Sequence, residues 1–245
     1  MTPEVRAVLD LVARGEGFSQ AGTQRTRCRI RGRDLVFCTA VEHDPIQRKM
    51  RSGAFYETSD LYLLDGHFPA GGTLIDVGAN IGNHSLYFAV MLGAGRVIPI
   101  EPNPVCWRLL VENVLANGVL DRFDLTRLGV GLGAARAGGY GMERRDRNLG
   151  AAAMVAGEGD LEVWRGDDLL AGEAPDFIKI DVEGAEMAAL AGLQGLISQH
   201  RPKLFVEVAA ENDAAFRDWV AAAGYAIALT RNRYRQATNY LAVPE

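Results

Sequence analysis

Lysine and cysteine are both scarce in this chain. Only Lys49, Lys179 and Lys203 occur among 26 basic residues, so arginine carries nearly all the positive charge. The three cysteines, Cys28, Cys38 and Cys106, are few, odd in number and outside any metal-ligand spacing, which argues against a disulfide scaffold or a zinc framework. No apolar run reaches the roughly 18 residues a membrane span needs. The start, Met1-Thr2-Pro3-Glu4, lacks the basic-then-apolar order of a secretory signal. A large net charge is missing too: it is −5, with 48% hydrophobic residues, too apolar a balance for a disordered chain. The mildly acidic balance argues against nucleic acid as the main partner. The expectation is a cytoplasmic protein without a membrane span. Its 245 residues suit one large domain, or one domain with an N-terminal appendage.

What is present is an alternation of short apolar runs with helical patterns. Strands are predicted at Thr73–Val77, Arg96–Ile100 and residues 123–130, 176–181, 203–208, 225–230 and 240–243. These runs are rich in Val, Ile, Leu and Phe, as strands covered on both faces are. Helices are predicted at residues 83–92, 104–117, 185–198 and 213–223, with Gly118 and Gly224 where C-caps are expected. Such alternation implies an α/β fold with a mostly parallel sheet and helices on both faces, closing on an antiparallel hairpin. Residues 66–245 form this domain. Residues 1–65 read as an α+β extension: a helix at 5–13, a strand pair over 25–39 turning at Gly32-Arg33-Asp34, and partial helix over 44–64. The extension is expected to pack over a sheet edge or cap the pocket. The Gly- and Ala-rich residues 131–160, with charges at 143–147, read as a surface hairpin inserted between sheet strands.

The first strand of the domain runs into Asp76-Val77-Gly78-Ala79-Asn80-Ile81-Gly82-Asn83. A carboxylate near the end of a buried strand, a glycine at a sharp turn and an Asn able to cap the next helix make a ligand-binding turn. Gly78 is expected to let a ligand approach the backbone. The second strand ends at Glu101, 23 positions past Gly78, where a carboxylate accepts both hydroxyls of a ribose. The cofactor should therefore contain a nucleoside. The dinucleotide fingerprint G-x-G-x-x-G is incomplete, because Asn80 stands where the middle glycine would be. Acidic groups such as Asp76 suit a cationic ligand better than a pyrophosphate. A turn with no ligand stays open on these residues alone.

The run from Ile75 to Ser85, then Glu101-Pro102-Asn103-Pro104, then Phe177-Ile178-Lys179-Ile180-Asp181-Val182-Glu183-Gly184-Ala185-Glu186, resembles the FkbM family of S-adenosylmethionine-dependent methyltransferases. Lesser matches are Gly53 with Tyr56-Glu57, Asn113, Asn117, Glu207 and Asn239-Tyr240. The resemblance runs from about residue 50 to the C-terminus. It implies a class I methyltransferase (Rossmann-like) sheet of seven strands with the last antiparallel, and S-adenosyl-L-methionine as cofactor. By carry-over, Asp76, Gly78, Ala79, Asn80, Gly82 and Asn83 wrap the methionine part, Glu101 holds the ribose, and Pro102 and Asn103 lie beside the adenosine. Glu57 and Asp181 are further candidates on the methionine side. Two departures stand out: Pro99 within an expected internal strand implies a bulge, and no carboxylate ends the third strand, which leaves adenine to backbone and apolar contacts.

Methyl transfer to oxygen needs positioning, worth about 7–11 kcal/mol, and a base, worth about 10²–10⁴-fold. Asp181 and Glu183 are the leading candidates, with Lys179 on the same strand face if the extended geometry continues. Lys179 between carboxylates also reads as a structural ion pair. His84, after the cofactor turn, reads equally as a base or as a packed cap. Asp181 and Glu207, ending adjacent strands, could share a divalent cation. Arg25, Arg27, Arg29, Arg31 and Arg33 alternate, so a continuous strand puts all five on one face, as a docking surface or a charge-blunted edge; Arg231, Arg233 and Arg235 are a weaker echo. The expected activity is methylation of a hydroxyl on a sugar, glycan or polyketide-like product, with no nucleic-acid partner. A nicotinamide-dependent oxidoreductase and a non-catalytic module of the same fold are the alternatives.

Overall fold

A computed structural model of the chain describes residues 1–143, 145, 147–232 and 236–245. Arg144 and Asp146 of the 143–147 charged run, and Arg233 and Arg235 of the late arginine triplet, lie outside the described residues. Helix α1 (Pro3–Ala13) is started by Thr2, whose hydroxyl accepts from the Val5 N–H, with Pro3 in the first turn. An antiparallel hairpin of β1 (Gln24–Ile30) and β2 (Arg33–Thr39) follows. Its turn is Arg31-Gly32, with Ile30 paired to Arg33, one step earlier than the sequence suggests. Arg31, in the left-handed region at φ 49°, leaves the strand and pairs with Asp65 at 2.6 Å. The turn therefore breaks the arginine stripe: Arg25, Arg27 and Arg29 share the exposed face of β1, but the full five do not. Two short helices, α2 (Pro45–Arg51) and α3 (Thr58–Leu64), complete the extension.

The α/β domain contains β3 (Thr73–Val77), α4 (Asn83–Tyr87), β4 (Arg96–Ile100) and α5 (Pro104–Ala116). Next come β5 (Val130–Gly133), β6 (Ala137–Met142), β7 (Met154–Ala156), β8 (Leu161–Arg165) and α6 (Gly166–Leu169). The chain closes with β9 (Phe177–Ile180), α7 (Glu186–Gly192), α8 (Gln194–His200), β10 (Lys203–Ala209), α9 (Asp213–Ala222), β11 (Tyr225–Arg231) and β12 (Ala237–Pro244). The main sheet has six strands in the order β11-β12-β10-β9-β3-β4. Strands β4, β3, β9 and β10 are parallel, and β12 runs antiparallel between β10 and β11. The terminal hairpin is as the sequence implies.

A seventh strand is not formed. Residues 123–130 make one parallel bridge, Phe123 to Val97, and then a 3-10 turn at Leu125–Arg127. Asp124 enforces that turn by accepting from the Thr126 N–H and hydroxyl. Strand β4 is thus an edge, which explains why Pro99 is tolerated without the expected bulge: the β3–β4 register is continuous through Asp76↔Pro99. Residues 131–160 are more than a surface hairpin, since β5, β8, β6 and β7 form a four-stranded sheet of their own. The helix expected over 185–198 divides at Gly192-Leu193; a Cβ on Gly192 would stand 2.0 Å from the Gly133 carbonyl oxygen. The helix after the cofactor turn continues from α4 as a π turn over Phe88–Leu92.

Two apolar layers flank the sheet. Ile75, Ile178, Ile180 and Val206 face α7, α8 and α9. On the other face Leu74, Phe177, Phe205 and Leu241 join α4, α5 and the extension, whose Leu35, Phe37, Met50, Phe55 and Leu61 belong to the same core. Strand β2 of the extension lies on α5, Phe55 packs on Tyr87 of α4, and α1 sits beside the β4 edge with Thr2 and Val5 against Gly129. Two asparagines, Asn113 on α5 and Asn117 just past its end, fasten the extension. Asn113 accepts from the Cys38 N–H at 2.7 Å and donates to the carbonyls of Cys38 and Ile81; Asn117 bonds both backbone groups of Val36. Among the described residues no helix is long and apolar enough to cross a membrane. Because Asn113 is fully buried, Asn113→Ala would leave several backbone groups unsatisfied, and we expect it to cost about 2–4 kcal/mol. Urea unfolding measures this, and a loss under about 1 kcal/mol would mean those groups find other partners.

Candidate active site

The turn after β3 is built around a buried ammonium. Lys179, on β9, donates to the Gly78 carbonyl at 2.7 Å and lies 3.2 Å from Asp76 Oδ1 and 3.5 Å from Asp181 Oδ2. Burial disfavours its charge, but Asp76 and Asp181 more than offset this and hold its pKa above the ordinary lysine value. With those three neighbours Lys179 clamps the ends of β3 and β9 together, the arrangement a structural ion pair makes. Asp76 has no exposure, and its second oxygen accepts from the Ser85 hydroxyl at 2.6 Å. It braces the turn from below.

Gly78 is required for a reason other than ligand approach. At φ 75°, a Cβ there would fall 1.7 Å from the Asp181 carbonyl oxygen, so the turn and the end of β9 could not close together. Gly82, also left-handed, lets Leu110 of α5 pack 3.0 Å from where its Cβ would be. Asn80 adopts φ 50°; its side-chain oxygen accepts from the Ile81 N–H, and its own N–H donates to Glu101 Oε2 at 2.8 Å. Ala79 sits buried between them.

Glu101 follows β4 and is buried. Its other oxygen accepts from the Asn103 N–H at 2.8 Å. Asn103 in turn caps α5 by accepting from Val105, with Pro104 in the first helical turn and Pro102 half-buried beside it. Burial pushes the Glu101 carboxyl up to about 7, against the pull of the Asn103 and Asn80 N–H groups. Each oxygen holds one backbone donor and retains a lone pair, which fits the two hydroxyls of a ribose.

Asn83 does not cap its helix; Gly82 occupies that position. The Asn83 amide instead clasps the Tyr56 backbone, accepting from its N–H at 2.9 Å and donating to its carbonyl at 3.2 Å. This brings Glu57 into the site. Glu57 is buried, and its Oε2 stands 3.9 Å from Nε2 of His84, itself buried in the first turn of α4. Burial and Lys179 lower the His84 pKa to about 4, against Asp76 and Asp181, so the imidazole is neutral at physiological pH.

On β9 and β10 the sheet face changes character along its length. Phe177 and Phe205 give way to Lys179, Asp181 and Glu207, with Asn239 of β12 paired opposite Glu207. Asp181 is 30% exposed in its side chain. Glu207 is held well above the usual carboxylate range by Asp181, by burial and by Glu57. Glu183 does not continue this face. Strand β9 ends at Ile180, and Glu183 sits at φ 47° in an exposed turn. Among the described residues no group of three or more His, Cys, Asp or Glu side chains is arranged to hold a metal ion.

Sequence reasoning missed three contributors. Buried Asp60 of α3 holds Arg231 at 3.3 Å and meets Asn239, tying the extension to the last strands; no local pattern marks it. Asp44 caps α2 and also accepts from the Leu149 N–H at 2.8 Å, and its Asp-Pro pair is a readable cap signature. Gly150, beside that contact, sits where a Cβ would come 3.1 Å from the Asn80 amide, so the inserted segment reaches the cofactor turn.

A parallel sheet with a final antiparallel strand, a glycine turn after its first strand and an acid after its second define a Rossmann-like fold of the class I methyltransferase type. The methyltransferase FkbM domain matches residues 76–227, and the chain belongs to that family. The methyltransferase sdnD of Sordaria araneosa is 26% identical over 165 residues, covering 52% of this chain and 62% of that protein. The crystal structure of a methyltransferase FkbM from Methylobacillus flagellatus aligns with a TM-score of 0.53 at 23% identity, over 77% of this chain and 49% of that one. The B. subtilis M1A22 tRNA methyltransferase TrmK aligns with a TM-score of 0.51 at 14% identity, over 78% and 68%. The chain thus spans about six tenths of the sdnD relative and half of the M. flagellatus protein. The cofactor this family implies is S-adenosylmethionine, and the Glu101 carboxylate, the acid-rich cleft and the neutral His84 fit its nucleoside and its cationic sulfonium.

Because the ionised form of Glu101 is the one that accepts hydroxyls, raising the pH through 7 should strengthen cofactor binding. Affinity for S-adenosylmethionine is expected to be about tenfold higher at pH 8 than at pH 6, and Glu101→Gln should flatten that dependence. Glu101→Ala should cost at least about 1–3 kcal/mol of binding. Calorimetric titration of both variants checks this; unchanged affinity would mean the ribose is held elsewhere.

Proposed function

We propose that the protein is an S-adenosylmethionine-dependent O-methyltransferase whose acceptor presents a free hydroxyl on a sugar of a glycan or glycolipid, or on a polyketide-type product. The observation that carries this reading is the polar end of the sheet face, where Asp181 and Glu207 stand beside the turn that Glu101 and Asn80 link. Carboxylates accept hydroxyl hydrogen bonds, and a carboxyl pushed toward its protonated form, as Asp181 and burial push Glu207, also donates one. When bound, the cofactor would supply a methyl carbon activated by a positively charged sulfur able to leave with the electron pair of the carbon–sulfur bond. The chain's own residues orient the acceptor oxygen and receive its proton. In this assignment Asp181 orients the hydroxyl, Glu101 holds the ribose, and Gly78, Ala79, Asn80 and Gly82 shape the wall beside the methionine part. Glu183, at the exposed mouth, meets the distal part of the acceptor. Nucleic acid is not the expected partner, given the net charge of −5. The free cysteines Cys28, Cys38 and Cys106 suit a reducing cytoplasm.

The first experiment is parallel titration with S-adenosylmethionine, S-adenosylhomocysteine and NAD. The reading requires binding of the first two without NAD; NAD binding alone would return the chain to the oxidoreductases. Transfer of a labelled methyl group to a panel of hydroxylated glycans and polyketides then identifies the acceptor, and transfer to none would leave a module without catalysis. With an acceptor in hand, Asp181→Ala should lower kcat about 10²-fold or more while leaving cofactor affinity within about threefold. An equal loss in both quantities would move Asp181 from orienting the acceptor to binding the cofactor.

A further inference from the structure

The segment that carries Glu57 lies outside residues 76–227, the part that matches the family, yet it is fixed against the active site from several directions. Phe55 packs edge-on between Phe37 and Tyr87, with ring centroids 5.1 and 5.2 Å away. The Tyr56 backbone is held at both its N–H and its carbonyl by Asn83. The Thr58 hydroxyl donates to the Phe55 carbonyl at 2.6 Å. Between these anchors Glu57 takes φ 55°, a left-handed conformation that costs a non-glycine residue free energy and persists only where its surroundings enforce it. The result is a buried carboxylate whose Oε2 lies 3.9 Å from Nε2 of His84.

His84 has a matching need. Its Nε2 is buried and has no hydrogen-bond partner among the described residues, and the carboxylate oxygen 3.9 Å away is Glu57 Oε2. The charged groups around the ring are Lys179, Asp76, Asp181 and Asp60, with Glu57 at Nε2. An imidazole with Nε2 turned toward a carboxylate carries its single proton there, which leaves the other ring nitrogen with a free lone pair.

We propose that Glu57 is a positioning residue for methyl transfer: its carboxylate fixes the neutral His84 as the Nε2–H tautomer, so that the opposite ring nitrogen takes the proton from the acceptor hydroxyl. This rests on the O-methyltransferase reading. In the step, the acceptor oxygen gains the methyl carbon and loses its proton to His84. The imidazolium so formed faces Glu57, which stabilises its charge, and it returns the proton to solvent after product leaves. Apo hydrogen bonds of this kind are often longer than in the reacting complex, so 3.9 Å is compatible with the role.

The test needs no acceptor. Protein labelled with ¹⁵N-histidine is studied by long-range ¹H–¹⁵N correlation spectra from pH 5 to 9, with His84→Gln assigning the signal. The expected result is a His84 ring that stays neutral across this range as the Nε2–H tautomer, becomes a tautomer mixture in Glu57→Gln, and recovers the wild-type pattern in Glu57→Asp. Calorimetry on the same variants should show S-adenosylmethionine affinity within about twofold of wild type. A wild-type ring protonated on Nδ1, or a His84 spectrum indifferent to Glu57→Gln, overturns the proposal even if the variants are destabilised, because the first reading comes from the native protein. A tenfold loss of cofactor affinity in Glu57→Gln also overturns it and makes Glu57 a cofactor ligand. The predicted tautomer in a protein that methylates no hydroxyl would instead sink the O-methyltransferase reading, so the two failures are separable.

Discussion

The ammonium of Lys179 is the constraint on which the site depends. A buried lysine is unfavourable unless its charge is matched and its protons are bonded. Here Asp76, on the neighbouring strand, and Asp181, at the end of its own, supply the charge, while the Gly78 carbonyl takes a hydrogen bond. Each partner is thereby located relative to the others: the end of β3, the glycine turn and the end of β9 become one unit. Gly78 is a consequence, because the same closure brings the Asp181 carbonyl to where any Cβ would be. The position of Asp181 beside the turn follows from that buried charge, which also adds to the effect of burial in lowering the His84 pKa.

The extension is joined to this unit by amides rather than by charge. Asn83, Asn113 and Asn117 each satisfy backbone groups of the extension that no sheet ladder covers, and Asn113 also bonds the carbonyl of Ile81 in the cofactor turn. Backbone groups buried against a helix have few alternatives, since water is excluded and an unmet bond costs about 1–3 kcal/mol. A side-chain amide with both a donor and an acceptor meets an N–H and a carbonyl of one residue together. This is why the extension shares the core of the domain and can deliver Glu57 and Asp60 to fixed places.

Much of this was legible in the sequence, and the rest was hidden for a common reason. The strand and helix order, the terminal hairpin and the Glu101 position could be read because burial on both faces leaves continuous Val, Ile and Leu runs. Residues 123–130 intersperse Phe123, Leu125, Leu128 and Val130 with polar residues, and Asp124 captures Thr126 and diverts the chain before a ladder forms. Glu183 would share the face of Lys179 and Asp181 only if the extended geometry continued past Asp181, and the chain instead takes a left-handed conformation at Glu183. Asn83 fits a cap pattern, but the partner that wins it, the Tyr56 backbone, is 27 residues away and leaves no local trace. Local chemistry shows in sequence; competition from distant backbone does not.

The choice between a dinucleotide and a sulfonium nucleoside turns on one N–H group. Both ligands place a ribose on an acid after the second strand, so Glu101 alone does not separate them. They differ in the group attached beyond the ribose. A pyrophosphate needs backbone N–H groups left free to point at it, and a middle glycine for close approach. In this turn the N–H of residue 80 is committed to Glu101 at 2.8 Å, and the residue is an asparagine with its own side chain turned to the Ile81 N–H. The donor that would meet a phosphate is spent on Glu101, and Asp181 adds a carboxylate close by. Only a ligand with positive charge past its ribose gains from that arrangement.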